Sequence, residues 1–592
     1  MNRKKLLLEM FSLAVLFALA QGAAFAQTAA TAGRPQASTP VPLVANPCTP
    51  RFSAGDVVHN PPALFSENGV LSLRFSYQQT TDSDGRLLHC FMTDTGIQNP
   101  TLHVSPGDTL KITVTNNTPP MPFGEPFNAP NCGDNTIEFT PPASGITSMG
   151  SSMNIHYHGT NVTPQCGGDN VTKTLINSNS TFQYSFKFPR NEPPGLYWYH
   201  PHVHGLAERD LLGGATGALV VDGIENVQPA VQDLRHRILI IRDQPQLAGL
   251  SESMGNCGNG IPFQDMSVNF VPIDSHLQTD GSVKFDPAVL KMEEGETQFW
   301  RIVNSGADSI LDLQVMYDGI PQTLQIVGID AVPVNSQDGT EPGSLIPVTR
   351  YRVPTAGRVE FLVTAPSRSV QVAQLVTNNI NTGTQGDCDP TRALFNIQLT
   401  SDNNNNEAEQ ENSEQNGERR LAKSTGYTTT HQRFGGLKNH PISATRVLQF
   451  SEIQPSQFFI TVAGQPRVTF DSNNPPAIVT TQGAVEKWYV QNLAQENHEF
   501  HMHQIHFKVL SQDNFDINGT PPAPGIDRQF LDMIEVPFWD NTKNPDPSQA
   551  PQVQLLMDFV GMDIGDFVYH CHILSHEDLG MMAIIRVLPA KK

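Results

Sequence analysis

Residues 570–582 read HCHILSHEDLGMM, three histidines, one cysteine and two methionines in thirteen positions. Histidines also recur in HYH (His156, His158), HPH (His200, His202) and HEFHMH (His498, His501, His503), and HCH itself supplies His570 and His572. In an extended segment residues i and i+2 share a face, so each HxH presents two imidazoles side by side. A single such pair on a strand is more often solvated than metal-bound, but four clusters in one chain call for more than one metal ion, and imidazole serves Zn, Cu, Fe and Ni alike. Cys571 narrows the choice, with His576 five residues on and Met581 ten residues on. A thiolate, an imidazole and a thioether, completed by a second imidazole, make the His2Cys set with weak axial Met of blue-copper electron transfer. Structural zinc takes four strong ligands and has no use for a thioether. Taken alone, Met581 would read as a core residue ahead of the apolar run Met582 to Ile585.

Three segments supply a frame for these donors. GDTLKITVTNN from Gly107, GETQFWRIVNS from Gly295 and GAVEKWYVQNL from Gly483 fall at equal intervals of 188 residues. Each glycine is followed nine positions later by an asparagine (Asn116, Asn304, Asn492), and apolar residues match at alternate positions: Ile112/Val114, Trp300/Ile302, Trp488/Val490. A repeat of that period with period-2 alternation predicts three copies of one β-domain. Short strands bounded by Gly, Pro and Asn, with few helical patterns, predict β-sandwiches. The histidine clusters fall in the first and third copies.

At 592 residues the chain can form three or four domains. Its formal charge of −21 argues against a nucleic-acid partner. Arg3, Lys4 and Lys5, an apolar stretch and Ala24-Phe25-Ala26 predict a secretory signal peptide over 1–26, and no later run is long enough for a stable membrane span. Residues 27–52 read as a flexible lead-in, and 401–425, almost devoid of apolar residues, as a disordered linker. Export permits disulfides among the seven cysteines Cys48, Cys90, Cys132, Cys166, Cys257, Cys388 and Cys571. With Cys571 as the odd one out, up to three bridges remain; proximity favours Cys132 with Cys166 and leaves the other pairs open.

HYHG, WYHPHVHG, HEFHMH and HCHILSHEDLGMM resemble, in order and internal spacing, the four copper signatures of the multicopper oxidases, the three-domain, laccase-like group. The resemblance covers essentially the whole mature chain. It implies an all-β fold of three cupredoxin-like Greek-key β-sandwich domains, over residues 53–225, 226–400 and 426–592. It implies four coppers: a type 1 ion held by His498, Cys571, His576 and axial Met581; a type 2 ion held by His156 and His501; and two type 3 ions held by His158, His200, His202, His503, His570 and His572. The cluster would lie between the first and third domains. The third signature departs from the family pattern, which often has Pro after its first histidine where this chain has Glu499, a change expected to touch local rigidity and the substrate rim. His204 and His506 match no ligand position.

The implied reaction takes electrons singly from a small-molecule or metal-ion reductant and delivers four to O2. Glu577 matches an acid near the oxygen path in related bacterial enzymes and is a candidate proton donor, with Asp169 a second; for both, a surface carboxylate is the competing reading. An axial methionine lowers the type 1 potential relative to Leu or Phe, which favours electron-rich phenols, aromatic amines or reduced metal ions. No methionine-rich insertion argues for a cuprous oxidase. The protein is expected to be a monomer, exported to the periplasm or secreted. A copper-binding or assembly protein on a degenerate oxidase fold would lack ligands, and all are present; a copper nitrite reductase, usually with two domains per chain, is disfavoured by the three repeats.

Overall fold

The computed structural model describes residues 48–590 apart from 125, 127, 130–131, 133–145, 247–259, 401–432, 454–455, 519–520 and 562. The expected signal peptide, lead-in residues 27–47, the linker 401–425 and Cys257 lie outside the described residues.

The three repeated segments form the strands Thr109–Asn116, Thr297–Asn304 and Val485–Asn492. Each holds the same place in its sheet. Thr109–Asn116 lies parallel to Val70–Thr81 and antiparallel to Thr181–Lys187. Thr297–Asn304 lies between Arg235–Gln244 (parallel) and Arg358–Thr364 (antiparallel), and Val485–Asn492 between Ile442–Ile453 (parallel) and Gln552–Asp558 (antiparallel). A second sheet accompanies each, giving three sheet pairs along the chain. In the first pair, Leu110, Ile112 and Val114 from one sheet pack with Leu102, Tyr157, Tyr199 and Leu219 from the other. One continuous core joins the second and third pairs, including Trp300 and Trp488 at matched positions. Alternate strand residues face these cores, as the period-2 pattern requires.

Both marked residues of the repeat have structural work. Gly107, Gly295 and Gly483 take φ of +91°, +72° and +87°, the left-handed region open to glycine. The asparagines are buried, and each side chain pins the chain beyond its strand. Asn116 Nδ2 donates to the carbonyls of Ser151 (2.7 Å) and Ile176 (2.9 Å), and its Oδ1 accepts from Thr118 N. Asn304 serves the Ser309, Val353 and Pro354 carbonyls and accepts from Gly306 N. Asn492 serves Glu496 (2.9 Å) and Val536 (3.0 Å) and accepts from Ala494 N. Ser151 and Glu496 lie just ahead of His156 and His498, so the repeated asparagine fixes the approach to the donor strands.

Disulfides join Cys48 to Cys90 and Cys132 to Cys166, the latter as proximity favoured; Cys388 is also disulfide-bonded, and Cys571 is free and buried. Among the described residues no helix is long and apolar enough to cross a membrane.

Asn304→Ala strands the buried carbonyls of Ser309, Val353 and Pro354, and each unsatisfied group costs about 1–3 kcal/mol. The variant should unfold at clearly lower denaturant than wild type; an unmoved midpoint would remove the asparagine from the folding argument.

Candidate metal centre

The smaller donor set gathers around Cys571. His498 opens the strand His498–Met502, Cys571 closes Gly565–Cys571, and the two strands pair with Phe500 opposite Cys571. His576 comes from the short helix Leu574–Asp578. His498 Nδ1 and His576 Nδ1 are 3.1 Å apart, and Cys571 Sγ lies 3.7 and 3.9 Å from them. Metal–nitrogen bonds of about 2.0 Å and a metal–sulfur bond of about 2.3 Å can span such separations from one shared ion. Met581 is fully buried and is tied to the same group by its backbone, donating from N to the His576 carbonyl and accepting from Cys571 N, both at 3.0 Å.

The larger set brings together eight imidazoles, all at most 1% exposed. Register places His156 opposite His200 and His501 opposite His570. His202, His503 and His572 stand just past strand ends, so the extended-strand reading of HxH holds strictly only for His156 and His158. Hydrogen bonds at the outer nitrogens set the tautomers. His156 Nδ1 lies 2.9 Å from both Asp169 oxygens, His200 Nδ1 donates to Pro201 O at 2.8 Å, His501 Nδ1 to Asp532 O at 2.9 Å and His570 Nδ1 to Cys571 O at 2.8 Å. His158 instead turns Nε2 to Asp532 Oδ1, at 3.3 Å. With those protons placed outside, the lone pairs face inward: Nε2 of His156, His200 and His501 and Nδ1 of His158 have no hydrogen-bond partner, nor has either nitrogen of His572. Nε2 of His202 and His503 lie 3.2 and 3.1 Å from that of His570. Burial holds every one of these rings well below its ordinary pKa, so they are neutral and competent as ligands. Orphaned buried lone pairs are costly, and metal ions would satisfy them.

Both candidate acids are buried, which overturns the surface-carboxylate alternative. Glu577 has its oxygens 3.6 Å from His202 Nδ1 and 3.9 Å from His570 Nδ1, and neither oxygen has a hydrogen-bond partner. Asp169 is engaged: besides His156 it accepts from Tyr157 N at 3.0 Å and from Gln504 Nε2, and burial pushes its pKa up to about 7 against those bonds. Glu499 is not at a rim. It is fully buried, its Oε2 accepting from Thr355 N at 2.7 Å and from Thr355 Oγ1. His506 is buried with Nε2 on the Asp330 carbonyl at 2.9 Å, and His204 is half-buried with its ring edge on Phe470.

Two residues that the sequence did not single out brace the larger set. Arg358, from the second sheet pair, donates Nη1 to Asp532 Oδ1 at 2.7 Å and Nη2 to Oδ2. Gly159, the glycine of HYHG, packs against this pair: at φ +85°, a Cβ there would meet Arg358 Nη2 and Asp532 Oδ2 at 2.5 Å.

Residues 146–226 and 439–591 match the multicopper oxidase family, and these stretches contain all twelve predicted ligands. Over those two stretches the chain is similar to that family.

Multicopper oxidases from Staphylococcus aureus and Staphylococcus haemolyticus are 32% and 33% identical to this one over 17% and 20% of its chain, matches that span only 20% and 24% of those relatives. A longer alignment, to multicopper oxidase LPR1 homolog 5 of rice (Oryza sativa), is 20% identical and covers 74% of this chain and 68% of the relative. The fold is also that of the multicopper oxidase McoA of Aquifex aeolicus in its 2F4 variant (TM-score 0.61, 18% identity, covering 90% of this chain and 100% of that one). The multicopper oxidase of Campylobacter jejuni, a metallo-oxidase, superimposes with TM-score 0.59 at 20% identity over 91% of this chain and 96% of the other.

The protein should be acid-labile without metal. Unfolded histidines titrate near ~6.5, whereas burial holds His506, His570 and His576 down to about 3. The unfolded chain therefore binds protons first as pH falls, and stability present above ~6.5 is lost toward 3, by ~1.4 kcal/mol per pH unit for each such group. Unfolding midpoints of the metal-free protein should drop steeply between pH 7 and 5, and those of the copper-loaded protein less; a flat metal-free profile would contradict this.

Proposed function

We propose that the protein is a multicopper oxidase that couples one-electron oxidation of a reducing substrate at a type 1 copper to four-electron reduction of O2 to water at a trinuclear cluster of one type 2 and two type 3 coppers. The observation that carries the reading is covalent: Cys571 belongs to the smaller donor set, and its neighbours His570 and His572 belong to the larger one. Bound copper would supply the redox chemistry, collecting electrons singly at one centre and delivering them together to oxygen at the other.

The residues divide accordingly. His498, Cys571, His576 and Met581 would hold the type 1 ion, His156 and His501 the type 2 ion, and His158, His200, His202, His503, His570 and His572 the type 3 pair. His576 offers the substrate side, being 6% exposed where His498 and Cys571 are 0%. Phe458 stacks on its ring at 4.4 Å and Glu496 stands 3.4 Å from its Nε2. Glu577, poised between His202 and His570 with both oxygens free of hydrogen bonds, would hold a proton for oxygen reduction. Asp169 would orient His156 through its Nδ1 proton.

The substrate class comprises electron-rich phenols, aromatic amines and reduced metal ions, the last kept in view by the metallo-oxidase among the structural neighbours. The protein would act as an exported monomer, with domain limits near 53–225, 226–400 and 426–592. A degenerate, copper-carrying relative is disfavoured because every donor residue is present.

Metal analysis should find about four coppers per chain, and oxygen uptake should respond to a panel of phenols, aromatic amines, Fe(II) and Cu(I). Cys571→Ser should abolish both the uptake and the blue absorption; uptake that survives it would overturn the electron route. Glu577→Gln should slow turnover about 100-fold, within the range of general-acid effects, with blue absorption intact; unchanged turnover would reject the proton role.

A further inference from the structure

A cleft of about 750 Å3 runs between the second and third sheet pairs, within the ~300–1,000 Å3 of ordinary small-molecule sites. None of the predicted copper ligands lines it, and neither do Phe458 and Glu496 beside His576, so it stands apart from both donor sets. Four prolines line it: Pro347 from the second sheet pair, and Pro521, Pro522 and Pro524 from the loop between the strands Phe507–Asp513 and Phe530–Leu531. Proline rings have no amide N–H to satisfy and almost no side-chain freedom to lose, so they offer a preformed surface to a planar ring. The charged lining is cationic on balance, Arg350 and Arg352 against the one carboxylate of Asp312. That carboxylate is already engaged. Arg350 donates Nε to Asp312 Oδ1 at 2.6 Å and Nη2 to Oδ2, and Arg352 Nη2 stands 3.7 Å from Oδ2. Arg352 is fixed from its other side by Glu535, 3.2 Å from Nη1. Among the described residues Arg350 Nη1 has no hydrogen-bond partner, and the side chain is 48% exposed. Asn381, exposed at the cleft, accepts on Oδ1 from Gly383 N at 3.3 Å and keeps Nδ2 as an uncommitted donor among the described residues.

We propose that this cleft is a binding site for a small aromatic carboxylate, with the ring against the prolines, the carboxylate on Arg350 Nη1 and Asn381 Nδ2 as a further donor. Charge decides the sign of the ligand. A cation would meet two guanidiniums and an acid already neutralised, whereas an anion meets a free guanidinium nitrogen in a chain whose formal charge is otherwise −21. Guanidinium–carboxylate hydrogen bonds are charge-assisted and stronger than neutral ones. Asp312 holds the guanidinium in place beforehand, so little rotamer freedom is lost when the ligand arrives. A polyphosphate would need more free donors than the lining offers. An aliphatic acid would leave the proline surface unused. The ligand would bridge the second and third sheet pairs, since the polar groups come from the one and three of the four prolines from the other.

The test is isothermal titration calorimetry of the copper-loaded protein with benzoate, which carries no hydroxyl to oxidise. Benzoate should bind at one site per chain, and benzamide, which lacks the charge, and acetate, which lacks the ring, should each bind about tenfold more weakly. Arg350→Ala should weaken benzoate about tenfold, the effect of losing one charge-assisted hydrogen bond. Should loss of the Asp312 partner keep that variant from folding, Asn381→Asp takes its place. It retains an acceptor for Gly383 N and sets a negative charge in the cleft, so it should weaken benzoate by about tenfold and leave benzamide unchanged. Benzamide binding as tightly as benzoate would overturn the anionic class, and acetate binding as tightly would overturn the aromatic one. Benzoate affinity untouched by the variant would overturn the location, and absence of benzoate binding to wild type would overturn the site itself.

Discussion

Eight imidazoles can be kept out of water together only if each ring stays uncharged and each N–H finds an acceptor. Asp532 meets that demand for two of them, its carbonyl taking the His501 proton and its carboxylate facing His158. A carboxylate so deep is itself costly, and burial pushes its pKa up to about 7 even with Arg358 opposing the shift. The guanidinium, fully buried and engaging both oxygens, offsets that cost. The three sheet pairs meet at this interaction: His158 comes from the first, Arg358 from the second, and Asp532 with His501 from the third.

This arrangement explains why some of the site could be read in the sequence and some could not. Ligands announce themselves locally, because HxH spacing and the Cys571, His576, Met581 series place several donors within a few residues. The repeat was legible for the same reason, since a glycine that must take positive φ and an asparagine that must reach several backbone groups recur at fixed offsets. Asp532 and Arg358 leave no such trace. Asp532 meets His158 across 374 positions of sequence, and within QFLDMIEV it is one of two acids with no histidine or cysteine beside them. Gly159, which packs against the pair at positive φ, reads in the sequence only as a glycine after His158.

Glu499 illustrates the opposite error. A glutamate in place of a proline reads as a surface substitution, because carboxylates are rarely buried without partners. Its partners come from Thr355, 144 positions away, and local sequence could not supply them. Likewise Asp169, half of whose role is to hold His156 Nδ1, lies in a polar stretch that reads as a solvated loop. In both cases tertiary packing provided the hydrogen bonds that make burial tolerable.

The second sheet pair contributes no donor to either set, yet one short stretch of it touches both. Thr355 stands against Glu499 and the His572 carbonyl, beside the sulfur site, and three residues on Arg358 holds the acid behind His158 and His501. The turn between the strands Tyr351–Val353 and Arg358–Thr364 is fixed in turn by Asn304, whose amide grips the Val353 and Pro354 carbonyls. The repeat asparagine that in the other two copies steadies the approach to ligands here steadies the residues that brace them. The second sheet pair thus braces both donor sets through one short stretch. Loosening it would disturb the pair together, through Thr355 on one side and Arg358 on the other.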